Sequence, residues 1–170
     1  MSTYDDYISE IKPKEWQQAL YDKYPKLFRQ KDLPASETCM CWGIACGEGW
    51  KDIIDEACQK LQKLADDNGV TIEFAQVKEK FAELRLYTEI IYPDGHKLHT
   101  TVIDIVGVGS FIKEEREKIW HDMHKITGEA GEKSLKTCET CGKPGKPREG
   151  GWIVTLCDEH AKKPKRDIPE

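Results

Sequence analysis

Two close pairs of metal-binding residue types lie near the C-terminus of this chain. Cys138 and Cys141 form a C-x2-C pair. After fifteen intervening residues, Cys157 and His160 form a C-x2-H pair. Each pair places two soft donors within reach of one ion, and the intervening loop can bring the pairs together. Three thiolates and one imidazole complete a tetrahedron with no position left for water, so the spacing predicts a structural zinc (Zn²⁺) site rather than a catalytic one.

The segment between the two pairs has the residues that a small zinc finger needs. Gly142 suits the tight turn after a second ligand, and residues 152–156 are typical of a strand that leads into the second pair. A helix is expected to begin near Asp158, which predicts a treble-clef-like or zinc-ribbon-like finger over residues 137–161. Zinc binding contributes on the order of 10 kcal/mol to such a module, which otherwise lacks a core.

The other four of the seven cysteines form a weaker pattern. Three of them have C-x-C-x4-C spacing: Cys39, Cys41 and Cys46. This spacing matches no standard finger, and Cys58 lies on the apolar face of a predicted helix, so we interpret all four as small buried hydrophobes. One alternative is a second metal site with His96 or His99 as a fourth ligand. Another is a reactive thiol at Cys46, whose pKa a helix N-terminus would lower.

A second candidate group lies on one predicted helix. Glu117, His121 and His124 are spaced i, i+4 and i+7, which could bind a metal or a phosphate. The group lacks the H-E-x-x-H order of a metalloprotease, and we interpret it as a solvated face. The chain also lacks the Walker, G-x-G-x-x-G and G-x-S-x-G patterns of common nucleotide-binding proteins and hydrolases.

Composition excludes several protein classes. Charged residues make up 34% of the 170 residues, and no run of about 18 apolar residues is present, so no membrane span is expected. The polar N-terminus does not have the pattern of a secretory signal, which favours a cytoplasmic protein with reduced thiols. The net charge of −5 argues against a protein coated in nucleic-acid-binding cations.

Hydrophobic periodicity predicts an α+β fold that precedes the finger. We expect an α+β domain over residues 1–136, the finger over 137–161 and a basic disordered tail over 162–170. The predicted elements are helices at 4–11, 16–24, 48–68 and 111–128, strands at 70–74, 84–92 and 97–106, and one helical turn within the ambiguous segment 77–83.

Two surfaces are candidates for binding a partner. The first is the apolar loop that contains Trp42 and Ile44. The second combines Trp152 of the finger with the basic tail, which could contact nucleic-acid phosphates. The cations of this tail are Lys162, Lys163, Lys165 and Arg166. The alternative for the tail is a solubilising segment, and acidic residues in the same stretch weaken the basic patch.

Several segments resemble a widespread group of small bacteriophage and prophage proteins that have a C-terminal CxxC…CxxH zinc finger. The matching pieces span most of the chain between about residues 24 and 160. They are Tyr24–Phe28, Cys39–Met40, Cys46–Trp50, Cys58, Val77–Phe81, Leu84–Tyr87, Thr137–Gly142, Trp152 and Thr155–Cys157. The chain departs from the group's pattern in its Leu98–Val108 strand and in its long charged helix.

The resemblance implies an accessory protein made in the cytoplasm of a bacterial host cell. Proteins of this kind act by binding, which favours a non-enzymatic function. The expected activity is to sequester or inhibit a host component, such as a defence protein or its signalling nucleotide. Two alternatives stay open, namely a nucleic-acid-binding zinc-finger protein and a cysteine- or histidine-based enzyme.

Overall fold

Helices pack against a small mixed sheet in the computed structural model, which describes residues 11–99 and 114–162. This arrangement confirms the predicted α+β class. The helices and strands within these ranges are α1 (Glu15–Lys23), β1 (Ile44–Ala45), α2 (Lys51–Asn68), β2 (Thr71–Lys80), β3 (Glu83–Ile91), β4 (Lys97–His99), α3 (Glu114–Ser134), β5 (Lys146–Arg148), β6 (Val154–Leu156) and α4 (Asp158–Ala161). Predictions for 4–10 and 100–113, and for Lys163, Lys165 and Arg166, lie outside the described residues.

The larger sheet has the strand order β1-β2-β3-β4. Strand β1 runs parallel to β2, whereas β2, β3 and β4 are antiparallel neighbours. Leu84, Leu86 and Thr88 are buried on one face of β3, as their alternation predicts. On that face the Thr88 hydroxyl lies 3.2 Å from the sulfur of Met123 in α3. Helices α2 and α3 therefore cover this side of the sheet, and the core lies between them and the strands.

The helical turn predicted within 77–83 is wrong, because β2 continues to Lys80. A bulge shifts the register between Phe74 and Gln76, so the inward-facing residues are Phe74 and then Val77. This spacing of three interrupts the alternation of a regular strand and imitates a helical period. Pairing with β3 keeps this segment in a strand. Phe81 and Ala82 form the two-residue turn between β2 and β3, with φ values of 54° and 67°.

Phe81 occupies a turn position that favours asparagine or glycine. Positive φ costs an ordinary residue about 1–2 kcal/mol, and the Phe81 side chain is 70% exposed, so packing offsets little of this cost. We expect Phe81→Asn to raise the free energy of unfolding by about 1 kcal/mol in urea titrations. Phe81→Ala keeps the unfavourable backbone and is expected to give no such gain. Equal losses of stability in both variants would show that the ring contributes packing.

Helix α3 extends further than the sequence predicts, since it continues through Gly128 to Ser134. Two contacts with β3 stabilise its C-terminal turns. The backbone N–H of Leu84 donates to the Ser134 hydroxyl at 2.8 Å. At Gly131, an added Cβ would lie 2.4 Å from Oε1 of Glu83, which shows how closely helix and strand approach. Tertiary packing therefore outweighs the low helix propensity of the two glycines.

No helix in residues 11–99 and 114–162 combines the length and the apolar character that a membrane crossing requires.

Candidate metal centre

The four predicted zinc ligands come together in the finger. Their ligand atoms, three Sγ and one imidazole nitrogen, all lie within 4.8 Å of one another. Sγ of Cys141 and Sγ of Cys157 are 3.8 Å apart, and Sγ of Cys138 lies 3.6 Å from Nδ1 of His160. Zn–S bonds of about 2.3 Å and Zn–N bonds of about 2.05 Å give tetrahedral edges of about 3.8 Å and 3.6 Å. Sγ of Cys157 lies closer to Nδ1 of His160, at 3.2 Å. Two of the three separations therefore have the dimensions of a four-coordinate metal site.

Local backbone structure positions each ligand pair. The N–H of Gly142 donates to the carbonyl of Cys138 at 2.9 Å, and the φ of +73° at Gly142 closes the tight turn. Strands β5 and β6 then form the predicted hairpin. Cys157 occupies the N-cap of α4, which brings His160 in the first turn of that helix back to the same side. Two short local structures, joined by a hairpin, thus create the site.

Lowered pKa values at two of the three thiols favour metal binding. Burial acts to raise the pKa of Cys138, but backbone N–H groups, including those of Cys157, Cys141 and Thr140, outweigh burial and lower this pKa below its ordinary value. For Cys157, the backbone N–H of His160 is the main cause of a lowered pKa. Thiolates are the metal-binding form of cysteine, so these hydrogen bonds prepare the sulfurs of Cys138 and Cys157 for a cation. At Cys141 the backbone N–H of Lys143 acts to lower the pKa, but burial and the neighbouring thiols outweigh it and raise the pKa.

The other cysteines do not form a second cluster in the described part of the chain, where Cys138, Cys141, Cys157 and His160 are the one group of three or more potential ligands. Cys39 is exposed, so the interpretation as a buried hydrophobe is wrong for this residue. Cys41 is buried, with Sγ 3.1 Å from the carbonyl of Thr38. Cys46 packs partly buried against the core. Cys58 is fully buried, and this burial raises the pKa of its thiol far above the ordinary range.

Trp42 and Ile44, the residues of the first candidate binding surface, differ in their exposure to solvent. Trp42 is 37% exposed, but Ile44 is only 4% exposed because it pairs with Val77 in the sheet. Ile44 therefore belongs to the core rather than to a contact surface, which corrects that part of the prediction. Trp152 is 63% exposed, and Lys162 is also exposed.

The histidine group of α3 is also not a compact ligand set. Nε2 of His121 lies 3.7 Å from Glu117, and both side chains are largely exposed. The ring of His124 instead packs against Trp120, with ring centroids 3.8 Å apart. These positions fit the interpretation of a partly solvated helix face.

The surface to which the finger is attached was not predicted from the sequence. Backbone N–H groups of Gly47 and Gly49 donate to the side chain and the carbonyl of Glu139, at 2.9 and 2.8 Å. The indole N–H of Trp50 donates to the carbonyl of Thr137 at 2.8 Å. Glu139 is 3% exposed, which is unusual for a carboxylate. The signal in the sequence was the segment Cys46–Trp50, where two glycines precede a large aromatic residue.

A second attachment joins the finger to the β2–β3 turn. The hydroxyl of Thr155 donates to the carbonyl of Ala82 at 2.7 Å. The carboxylate of Glu79 accepts from the N–H of Ala82 at 2.8 Å and from the indole of Trp152 at 3.2 Å. The finger therefore contacts the α+β part at two places, one beside each ligand pair.

No protein-family model matches this sequence, and comparisons with curated proteins and with solved structures found no significant similarity. The class of the protein is therefore defined by its own residues. It is an α+β protein with a C-terminal finger whose Cys3His cluster could hold a metal ion.

Proposed function

We propose that the cluster binds one structural zinc ion. The observation that carries this proposal is the agreement of the Cys141–Cys157 and Cys138–His160 separations with the edges of a zinc tetrahedron. Four protein ligands leave no position for water or substrate. The ion would hold the two ligand pairs together and thereby maintain both contacts between the finger and the α+β part.

Metal analysis of the purified protein tests the site directly. We expect about one zinc per chain and loss of the metal in a Cys138→Ser, Cys157→Ser double variant. Cys39→Ser is the matched control, because Cys39 is exposed and outside the cluster. Protein that retains no metal would contradict the proposal. A stoichiometry near two would instead support a second site at Cys39, Cys41 and Cys46.

We further propose that the protein acts by binding a host protein. An aromatic surface, defined by Phe81, Trp152 and Ile153, supports this proposal. These side chains are 70%, 63% and 44% exposed. The hydrogen bonds from Trp152 to Glu79 and from Thr155 to Ala82 bring this part of the finger against the turn that contains Phe81. Large aromatic residues on such a surface are enriched at protein interfaces.

The conformation of Phe81 strengthens the argument. An exposed aromatic residue with positive φ reduces stability without filling the core. Partner binding gives a reason for a phenylalanine at this turn position. The resemblance to bacteriophage accessory proteins supports a host defence protein as the component that is sequestered or inhibited.

Affinity capture from a bacterial lysate tests this surface. We expect the tagged protein to retain a specific protein that a Phe81→Asn, Trp152→Ser variant fails to retain. Trp42→Ser is the matched control, because Trp42 is an exposed tryptophan in another part of the chain. Loss of the partner in Trp42→Ser alone would place the contact at the loop, and recovery of a signalling nucleotide without any protein would overturn the protein partner.

Nucleic-acid binding is a second candidate, favoured by one observation. The ammonium of Lys80 lies 5.5 Å from the ring centroid of Phe81, so a cation adjoins exposed aromatic rings on which bases could stack. A mobility shift that weakens with salt, and that decreases when residues 163–170 are removed, is then expected. The absence of a shift at low salt would eliminate this candidate.

A further inference from the structure

A polar cleft of about 750 Å³ lies beside strands β2, β3 and β4 and is separate from the finger. Its lining includes the carboxylate of Glu89 but not that of Glu73, the neighbouring acid on β2; sequence alternation would assign both acids to a solvated face. Glu73 and Glu89 are directly opposite each other in the β2–β3 pair, yet they are only 2% and 3% exposed. Two buried carboxylates side by side are unfavourable unless their surroundings compensate both charges.

The compensation begins with one buried amide. Nε2 of Gln30 donates to Glu73 at 3.1 Å and to Glu89 at 2.8 Å. Oε1 of Gln30 accepts from the hydroxyl of Thr38 at 2.9 Å, which fixes the orientation of the amide. Gln30, Thr38 and Glu89, which line the cleft, are thus joined to Glu73 in one hydrogen-bonded network.

Basic side chains at the mouth of the cleft complete the compensation. Arg29 donates from Nε and Nη2 to Glu73, with the Nη2 contact at 2.7 Å. Nε2 of His99 and the ammonium of Lys97 lie 3.1 and 3.7 Å from Glu89. The side chains of Arg29, Lys97 and His99 are about half exposed, at 53%, 53% and 48%. Their contacts with the buried acids, among the residues that the structure describes, use only some of the donors of Arg29 and Lys97, and all three side chains line the cleft.

We propose that this cleft binds a nucleoside monophosphate. Arg29, Lys97 and His99 would contact the phosphate, for which a guanidinium and an ammonium are suited donors. Tyr87 also lines the cleft and offers a ring for base stacking. The exposed carboxylate of Glu37 in the same lining opposes additional negative charge, which favours a monophosphate over a triphosphate. The cleft volume is in the range of small-molecule sites.

This inference goes beyond the proposed zinc site and protein partner, and its test is independent of both. The four common ribonucleoside 5′-monophosphates are titrated into the full-length protein at low salt and followed by calorimetry. We expect saturable binding, in the millimolar range or tighter, to at least one of them. Lys97→Gln should weaken it roughly tenfold, whereas Lys26→Gln should leave it unchanged, because Lys26 makes a similar 3.8 Å ion pair outside the cleft.

A second variant tests the contact with the base. Tyr87→Leu should reduce nucleotide affinity toward that of ribose 5-phosphate, while thermal melts show that the fold is retained. Absence of binding by all four nucleotides would overturn the proposal, as would equal effects of Lys97→Gln and Lys26→Gln. The uncharged nucleosides should not compete, and effective competition would contradict the phosphate contacts. Zinc content and capture of a protein partner are measured in separate experiments. A failure to bind nucleotides would therefore leave the proposed zinc site and protein partner unaffected.

Discussion

The Cys157→Ser variant is expected to lose its metal and to unfold the finger over residues 137–161. Cys157 is one of the four proposed ligands and also the N-cap residue of α4, so its replacement removes a ligand and alters the start of that helix. Zinc binding contributes about 10–16 kcal/mol in isolated finger peptides, which is comparable to the whole stability of a domain.

Amide hydrogen exchange reports unfolding of the finger residue by residue. Amides of Cys138, Glu139 and Gly142, which donate hydrogen bonds within the finger, should lose protection in Cys157→Ser. Chelation of the wild-type protein should give the same pattern. Cys39→Ser should behave like wild type, because Cys39 lies outside the cluster. Protection that survives both ligand replacement and chelation would show that packing alone maintains the finger.

Gly49→Ala is expected to have the second large effect, through the contact between finger and core. A Cβ at this position would lie 2.1 Å from the carbonyl oxygen of Cys138 and 2.5 Å from the backbone nitrogen of Gly142. Both are backbone atoms of the turn from Cys138 to Gly142, so neither can move aside by rotation about a side-chain bond. We expect the free energy of unfolding to fall by about 3 kcal/mol, at the upper end of overpacking effects.

Zinc content distinguishes Gly49→Ala from the Cys157→Ser variant. All four ligands lie within the finger, so Gly49→Ala should retain zinc while the finger shifts away from Trp50. Increased exchange of the Gly49 amide, which donates to Glu139 at 2.8 Å, would report this shift. Gly128→Ala is the matched control: an added Cβ meets nothing within 4 Å, and alanine in a helix should raise stability by up to about 1 kcal/mol. Wild-type stability in Gly49→Ala would refute the close contact.

Much of the finger could be predicted because its determinants are local. Each ligand pair is only three residues apart, so the spacing itself limits how far the donors can separate. The turn at Gly142 and the hairpin before Cys157 follow from nearby residues as well. The long helix α2 could also be predicted from the sequence, because its apolar positions recur at helical spacing and Gly69 ends it with a φ of +61°.

Other features depended on contacts between distant residues. The second half of β2 was not predicted as a strand because a bulge interrupts its alternation. The register of β2 is set by pairing with β3 rather than by residues 71–80 themselves. Burial of Ile44 depends on the parallel pairing of β1 with β2. Glu139 resembles an ordinary surface acid in the sequence, and only its approach to Gly47 explains its burial.

The sequence by itself determined the ligand set of the candidate zinc site, the presence of a finger and the α+β class, since short-range spacing and periodicity encode these properties. Only the tertiary structure decided where the finger is attached and that Phe81 and Trp152 belong to one surface. It also decided that Glu73 and Glu89 are buried side by side and that Glu89 lines a cleft. The physical reason is that alternation along one strand does not reveal what covers its second face. Here that cover is Gln30 and Arg29, more than 40 residues away in the chain.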